Sequence, residues 1–331
     1  MAASSFDVVG IGNAIVDVLA KADDAFLKRQ GLAKGTMALI DAARAEALYA
    51  EMGEGIEASG GSAANTIAGL ASLGGKGAYV GKLRDDELGA IFAHDLKSIG
   101  VAFKTPPLTS GPPTARCLIL VTPDAQRTMN TFLGACVELG PEDIDPELIS
   151  AAQVTYLEGY LFDPPRAMEA FRKAAELAHK AGRKVALSLS DPFCVGRHRA
   201  DFLELVDQHV DVLFANEHEI ASLYQTEHFE LAAEAVRGHC EIAVLTRSER
   251  GSSIVTAKAM LHVAPAPVAR VVDSTGAGDL YAAGFLYGLT HGRDLETCGK
   301  LGSLCAGEVI GHFGARPETS LKILAKSAGL I

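Results

Sequence analysis

A chain of 331 residues, 48% hydrophobic and with a formal net charge of −11, can form one large α/β domain or two modest ones around a substantial core. The acidity argues against a nucleic-acid or membrane-surface protein, since binding a polyanion takes a concentrated basic patch. The densest basic cluster, Arg197-His198-Arg199, runs straight into Asp201, Glu204 and Asp207, the pattern of a solvated helix start.

Met1 to Phe6 has no basic residue before the first apolar run, and no stretch approaches the roughly 18 apolar residues of a membrane span. The cysteines at 117, 136, 194, 240, 298 and 305 form no C-x-x-C pair and have no histidine at zinc spacing. They read as buried thiols of a cytoplasmic protein.

Short apolar strands at 7–11, 77–82, 154–158, 184–189, 212–216 and 242–246 alternate with Ala-, Leu- and Glu-rich helical segments. This alternation predicts an α/β fold: a doubly wound, mostly parallel sheet with helices on both faces. Ligands of such sheets bind beyond the carboxyl ends of the strands. Two regions break the pattern with hairpin-like β pairs, 15–20 with 36–40 and 115–121 with 127–133, the second turning at Thr122-Pro123-Asp124-Ala125. They predict a small β lid, built from about 13–41 and 103–134, inserted in a single domain spanning 1–331.

Gly10-Ile11-Gly12 follows the first strand, but Ile15 stands where a dinucleotide fingerprint needs its third glycine. Asn13 and Asp17, just beyond, admit two readings. They are a turn residue and a solvated strand residue, or they supply an amide and a carboxylate able to take two hydrogen bonds from a vicinal diol. Gly60-Gly61-Ser62-Ala63-Ala64-Asn65 precedes a helix at 66–73. The paired glycines let a ligand approach the backbone, Ser62 can cap the helix, and Asn65 projects from its first turn.

Asn216 and Glu219 form N-x-x-E at a strand-to-helix junction, either an N-cap with an acidic first turn or holders of the water shell of Mg²⁺. No G-x-x-x-x-G-K-S/T occurs, which excludes a P-loop on its own motif.

The most informative stretch is Asp273-Ser274-Thr275-Gly276-Ala277-Gly278-Asp279, followed by a helical run at 280–289. Its small residues leave backbone N–H groups open to a polyphosphate, and the helix adds the positive end of its dipole. A carboxylate there repels phosphate, so Asp279 is assigned to accepting a proton from an attacking hydroxyl, kept ionised by the helix N-terminus. A glycine-rich turn with a capping Asp is the plainer alternative.

Gly60 to Asn65, Asn216 with Glu219, and the D-S-T-G-A-G-D run together, in this order along nearly the whole chain, resemble the ribokinase-like (phosphofructokinase-B type) family of carbohydrate and nucleoside kinases. The resemblance implies transfer of the γ-phosphoryl group of ATP to a primary hydroxyl. Asp279 is then the base, and the N–H groups of Gly276, Ala277 and Gly278 form the anion hole. Asn216 and Glu219 organise Mg²⁺ and phosphate, and Thr275, Thr246 and Gly251 belong to the nucleotide side. Gly12-Asn13-Ala14-Ile15-Val16-Asp17 is similar to the G-N-x-x-x-D start of the adenosine kinase branch, which puts Asp17 on the ribose 2′ and 3′ hydroxyls with Asn13, Gly60, Gly61 and Asn65 alongside.

Arg127-Thr128-Met129-Asn130 resembles that branch's lid segment. Arg127 would lie near the transferred phosphate and Met129 against the base, with Met37 and Leu39 as further apolar contacts and Phe132 as the one ring near the base. Gly311 to Pro317 resembles a loop that holds K⁺, here through Asp273, Thr275, Gly311 and Gly314; an ordinary loop with a surface His312 is equally open.

The reading is an ATP- and Mg²⁺-dependent kinase of the 5′ hydroxyl of a ribonucleoside, adenosine foremost, acting as a monomer or a lid-mediated homodimer. A sugar kinase of the same family, for ribose, fructose or another hexose, and a non-catalytic nucleotide- or sugar-binding sensor are the alternatives.

Overall fold

The computed structural model describes residues 4–124 and 126–331. Met1 to Ala3, in the N-terminal reading, and Ala125, in the 122–125 turn, lie outside the described residues. Phe6–Ile11 (β1), Ile15–Lys21 (β2), Met37–Leu39 (β3), Gly55–Ser59 (β4), Gly77–Val80 (β5), Ala102–Phe103 (β6), Ala115–Val121 (β7), Arg127–Phe132 (β8), Ala152–Glu158 (β9), Lys184–Ser188 (β10), Val212–Asn216 (β11), Ile242–Thr246 (β12), Ser252–Val255 (β13) and Met260–Val263 (β14) build two sheets.

The larger sheet runs β14-β13-β12-β11-β10-β9-β1-β5-β6. It is parallel from β12 to β6, and β13 and β14 add antiparallel pairs at one edge. Successive residues of a strand point to opposite faces, and here both faces are covered. Val9, Ile11 and Leu157 pack with Phe171 and Phe202 on one side. Val8, Tyr79 and Tyr156 pack with Phe285 and Leu301 on the other. That double burial is why these strands read as unbroken apolar runs. The chain leaves β1 toward β5 and β6 on one side and returns as β9 on the other, so the strand order reverses at β1/β9. Ligand crevices form beyond the carboxyl ends of strands at such a switch point.

The second sheet runs β3-β8-β7-β2-β4. β7 and β8 are the antiparallel pair the sequence predicts. The other expected pair does not form: β2 lies between β7, parallel, and β4, antiparallel, while β3 pairs parallel with β8. The reason is local. The connection from β2 to β3 folds into helix Asp24–Arg29, capped by the Asp23 side chain on the Phe26 N–H at 2.7 Å, so it cannot serve as a tight hairpin turn. β4 also falls outside 13–41; it is a largely exposed edge strand with no alternating apolar signal.

One face of this sheet packs Val18, Leu118 and Leu120 against Leu27 and Leu48 of helices Asp24–Arg29 and Ala42–Glu51. The register assigns the rest to the opposite face. Asp17 lies across from Cys117, Cys117 from Thr131, and Thr131 from Leu39; in the next row Ile119 lies across from Met129 and Met129 from Met37. Among the described residues no helix is long and apolar enough to cross a membrane.

Candidate active site

Asp279 sits in the first turn of helix Ala277–Thr290. The helix starts from Gly276, whose φ of +78° is left-handed and whose missing side chain would stand 2.8 Å from the Ala315 backbone; a Cβ there would be both strained and crowded. The Asp279 carboxylate accepts a hydrogen bond from Ser62 Oγ at 2.6 Å and one from Asn65 Nδ2 at 3.1 Å. Desolvation raises its pKa above the ordinary carboxylate value, and these two donors oppose the rise. Side chains from a second helix therefore do what the sequence reading gave to the helix N-terminus alone. Ser62 is also not a cap: helix Ser62–Leu73 has Gly61 at its N-cap position and no side-chain capping bond, which frees the hydroxyl for Asp279.

Gly61 has φ +89°, and a Cβ on it would fall on the Asn13 carbonyl oxygen. Gly60 abuts Asp17, leaving no room for a side chain between backbone and carboxylate. Asp17 itself is half-buried on β2. Burial pushes its carboxyl up to about 6, against the pull of Arg127 and Arg316 and with some help from the charge of Asp279.

Asn13 follows β1 and donates its Nδ2–H to Glu158 Oε1 at 2.7 Å. Glu158, buried at the carboxyl end of β9, also accepts the Ala63 N–H at 2.8 Å, and desolvation pushes its carboxyl up to about 7. It ties Asn13 to the start of helix Ser62–Leu73. The sequence reading did not single it out, and the only signal was a carboxylate ending an apolar strand.

Arg127, at the start of β8, reaches across to the phosphate loop, where its guanidinium donates to Asp273 Oδ2 and to Thr275 Oγ1. Asp273 accepts in addition the Thr275 N–H at 3.0 Å, the Thr275 hydroxyl at 2.7 Å and the Gly314 N–H at 3.1 Å. These donors bear on the K⁺ reading. Both Asp273 oxygens are already taken by these donors. The Asp273 side chain therefore offers no free oxygen to a cation.

In the anion hole, the Ala277 N–H turns to Ser274 O at 3.3 Å, which leaves the Gly276 and Gly278 N–H groups better placed to meet an anion. A Cβ on Gly278 would meet nothing within 4 Å, so its side of the loop is open.

Asn216 ends β11 and caps helix Glu217–Tyr224. Its Oδ1 accepts the N–H groups of His218 and Glu219 at 2.8 and 2.9 Å, and its Nδ2 donates to Glu219 Oε1 at 2.6 Å. That capping box engages the Asn216 amide, the first of the two readings its sequence position allows. Glu219 is buried, and desolvation pushes its carboxyl up to about 7, with the charges of Asp191 and Asp279 adding to the rise. Both of its oxygens are engaged in the box, Oε2 by the Asn216 N–H at 2.8 Å and Oε1 by the Asn216 Nδ2, and the described residues hold no cluster of three or more such side chains suited to a metal ion.

Thr246 ends β12, and Gly251 turns the chain into β13 with φ +77°. Both lie at the same end of the strands as Asn216, since Asn216 and Thr246, and Thr246 and Ser252, are register partners.

On the second sheet, Asp17, Met37, Leu39 and Met129 share the face opposite helices Asp24–Arg29 and Ala42–Glu51. Met37 and Leu39 are 46% and 54% exposed, an uncovered apolar surface on the same face as the half-buried Asp17 carboxylate. Phe132 does not join them. It lies across from Arg116 and alternates with Thr131, so the strand's period of two turns it to the opposite face and corrects its assignment to the base pocket.

The model of the pfkB family carbohydrate kinase matches residues 36–321. The adenosine kinase of Sinorhizobium meliloti is 55% identical, with 98% of this chain and 100% of that one covered and a TM-score of 0.92. A probable sugar kinase protein from Rhizobium etli is 53% identical, with 99% and 100% covered and a TM-score of 0.94. The adenosine kinase of Saccharomyces cerevisiae is 27% identical over 329 residues, 93% of this chain and 95% of that one.

Proposed function

We propose, starting from the fact that this chain belongs to the pfkB family of carbohydrate kinases, that it transfers the γ-phosphoryl group of ATP to the 5′ hydroxyl of a ribonucleoside, adenosine foremost. The observation that carries the choice of acceptor is the lid face. A carboxylate suited to a diol, Asp17, and three apolar side chains, Met37, Leu39 and Met129, share one side of one small sheet. A free sugar would bury those apolar groups against hydroxyls, which leaves polar groups unpaired; a purine face would cover them with apolar surface.

Phosphoryl transfer depends mainly on positioning and on stabilising charge. In this reading Asp17 holds the ribosyl diol, and Asp279, oriented by Ser62 and Asn65, takes the proton of the 5′ hydroxyl as it attacks. Gly276 and Gly278 offer N–H groups to the transferring phosphoryl group, and Arg127 brings the lid onto the same loop. A Mg²⁺ ion bound to ATP would spread the charge of the transferring group, and Glu219 is the residue that would hold its water shell. K⁺ is not part of the proposal. A cytoplasmic place of action is, with all six cysteines free in support.

Release of ADP from ATP and Mg²⁺, measured with adenosine, ribose and fructose as acceptors, tests the reading. Adenosine is expected to give the highest kcat/KM; a free sugar equal to or above it would move the chain to the sugar-kinase alternative, supported by its similarity to the Rhizobium etli protein.

A further inference from the structure

Arg316, on the loop after helix Leu295–Val309, has no role in the mechanism above, yet its guanidinium lies among the residues that build the acceptor side. Its Nε donates to Asn65 Oδ1 at 3.4 Å, while its Nη2 is buried with no hydrogen-bond partner among the described residues. Burial lowers its pKa, and the acidic groups that answer its charge are Asp95, Asp17 and the Tyr79 hydroxyl. None of the three accepts a hydrogen bond from it among the described residues.

A guanidinium carries five donors and no acceptor, and it keeps its charge. Two consequences follow from that chemistry. The first concerns Asn65. Because Arg316 can only donate, the Asn65 amide must turn its oxygen toward it, which leaves Nδ2 to donate to Asp279 at 3.1 Å. An asparagine amide could otherwise flip and present an oxygen to the carboxylate, which would repel it. The second concerns Nη2. A buried charged donor without a partner is costly unless an acceptor arrives. The guanidinium feels the charge of Asp17 and donates to Asn65, which in turn donates to Asp279. A ligand whose diol meets Asp17 and whose primary hydroxyl meets Asp279 places its sugar ring between them, and the oxygens of that ring and its hydroxyls are acceptors.

We propose that Arg316 is a recognition and positioning residue for the phosphate acceptor: its Nη2 donates to an oxygen of the ribosyl group held by Asp17, and its Nε fixes the Asn65 amide with Nδ2 on Asp279. This rests on the ribonucleoside reading above. It sets Arg316 apart from Arg127, whose Nη1 donates to Asp273 and Thr275 of the phosphate loop and whose loss should be felt by ATP.

The test compares Arg316→Gln and Arg316→Lys with the unmodified enzyme. KM for adenosine, 2′-deoxyadenosine, 3′-deoxyadenosine and ATP is measured together with kcat and Tm. Arg316→Gln should raise KM for adenosine about 10- to 100-fold, the range expected for losing a charged donor to a substrate oxygen, and leave KM for ATP within about twofold. Its preference for adenosine over at least one deoxy analogue should shrink several-fold, because the analogue never made the lost bond. Arg316→Lys, which keeps a donor and the charge, should recover part of the adenosine KM.

An adenosine KM within about twofold of the unmodified enzyme in the Gln variant, or equal rises for adenosine and ATP, or unchanged discrimination against both deoxy analogues would overturn the assignment. If the Gln variant does not fold, the Lys variant decides by the same comparison of acceptor with ATP. An unmodified enzyme that phosphorylates no nucleoside refutes the proposed function separately, and the comparison is then run on the sugar it does phosphorylate, with an unshifted acceptor KM refuting the role of Arg316.

Discussion

Ser62 donates its hydroxyl to Asp279 Oδ1 at 2.6 Å, joining residues 217 apart in sequence. The bond links the first turns of two helices, Ser62–Leu73 and Ala277–Thr290, that pack against each other in one core cluster. It also opposes the desolvation that raises the Asp279 carboxyl. Replacing Ser62 by Ala leaves Asn65 as the one side-chain donor, so the carboxyl should rise further. The protonated form cannot act as a base, so the activity lost is on the acid side. The acid limb of the kcat profile should move to higher pH by about one unit, the scale of one hydrogen bond to a charged group partly replaced by water. An acid limb at the same pH in Ser62→Ala would show that the bond does not tune the base.

Removal of the base itself is a larger change. Asp279→Asn keeps the shape and the Ser62 bond but cannot take a proton, and general-base loss costs on the order of 10² to 10⁴ in rate. ATP binding, followed by calorimetry, should stay close to that of the unmodified protein because the carboxylate faces the acceptor. A variant that keeps more than about a third of the activity would remove Asp279 from the role of base.

Asp17 gives a pH dependence of its own. Its carboxyl is pushed up to about 6, chiefly by burial, and only the ionised form accepts two hydroxyl hydrogen bonds. As pH falls through about 6, the ionised fraction falls, so kcat/KM for adenosine should decline there. For 2′-deoxyadenosine, which offers one hydroxyl fewer, the same limb should be shallower. Asp17→Ala should raise KM for adenosine sharply and erase its advantage over the deoxy analogue, since an unpaired buried polar group is the source of that discrimination. Equal use of the two nucleosides by the unmodified enzyme would sink this role.

The parts of this molecule legible in the sequence are those set by local rules. β1, β9, β10, β11 and β12 announce themselves because both of their faces are buried, and the phosphate loop does so because small residues precede a helix. Of the lid pairing only β7 with β8 was legible. Which strand lies beside β2 depends on parallel contacts between segments about a hundred residues apart, and β4, an exposed edge, has no apolar face to betray it. Side-chain partners were least visible of all. Ser62 looks like a cap in one dimension and is a partner of Asp279 in three, Asn216 admits both a cap and a metal role in sequence and is seen as the cap, and Phe132 falls on the other side of its strand.

Gly61 offers a check on the backbone frame. Its φ of +89° and the Asn13 carbonyl oxygen against it leave no space for a methyl group. Gly61→Ala should destabilise the protein by about 1–3 kcal/mol, the cost of holding a non-glycine residue in such a conformation, and lower Tm in proportion. It should also raise KM for the acceptor, since Asn13 would have to move. An unchanged Tm would mean that the loop relaxes freely and that the glycine is not needed for the close approach.

The apolar rows of the lid carry the distinction between nucleoside and free sugar. Met37 and Met129 are register partners on one face, and Met37 is nearly half exposed while no ligand covers it. Covering apolar surface gains roughly 25 cal/mol for each Å² removed from water, and methionine adapts readily to a flat ring. Burial of part of one purine face can thus supply about 1.4 kcal/mol, a factor of about ten in kcat/KM. The double variant Met37→Ser, Met129→Ser removes most of that surface while leaving Asp17 and Asp279 in place. It should lower kcat/KM for adenosine about tenfold and leave the value for ribose within about a factor of two, so that the two acceptors converge. Steady-state rates with both acceptors at equal ATP and Mg²⁺ measure this. If both values fall together, the methionines support the lid and do not read the base; if neither changes, the base is held elsewhere.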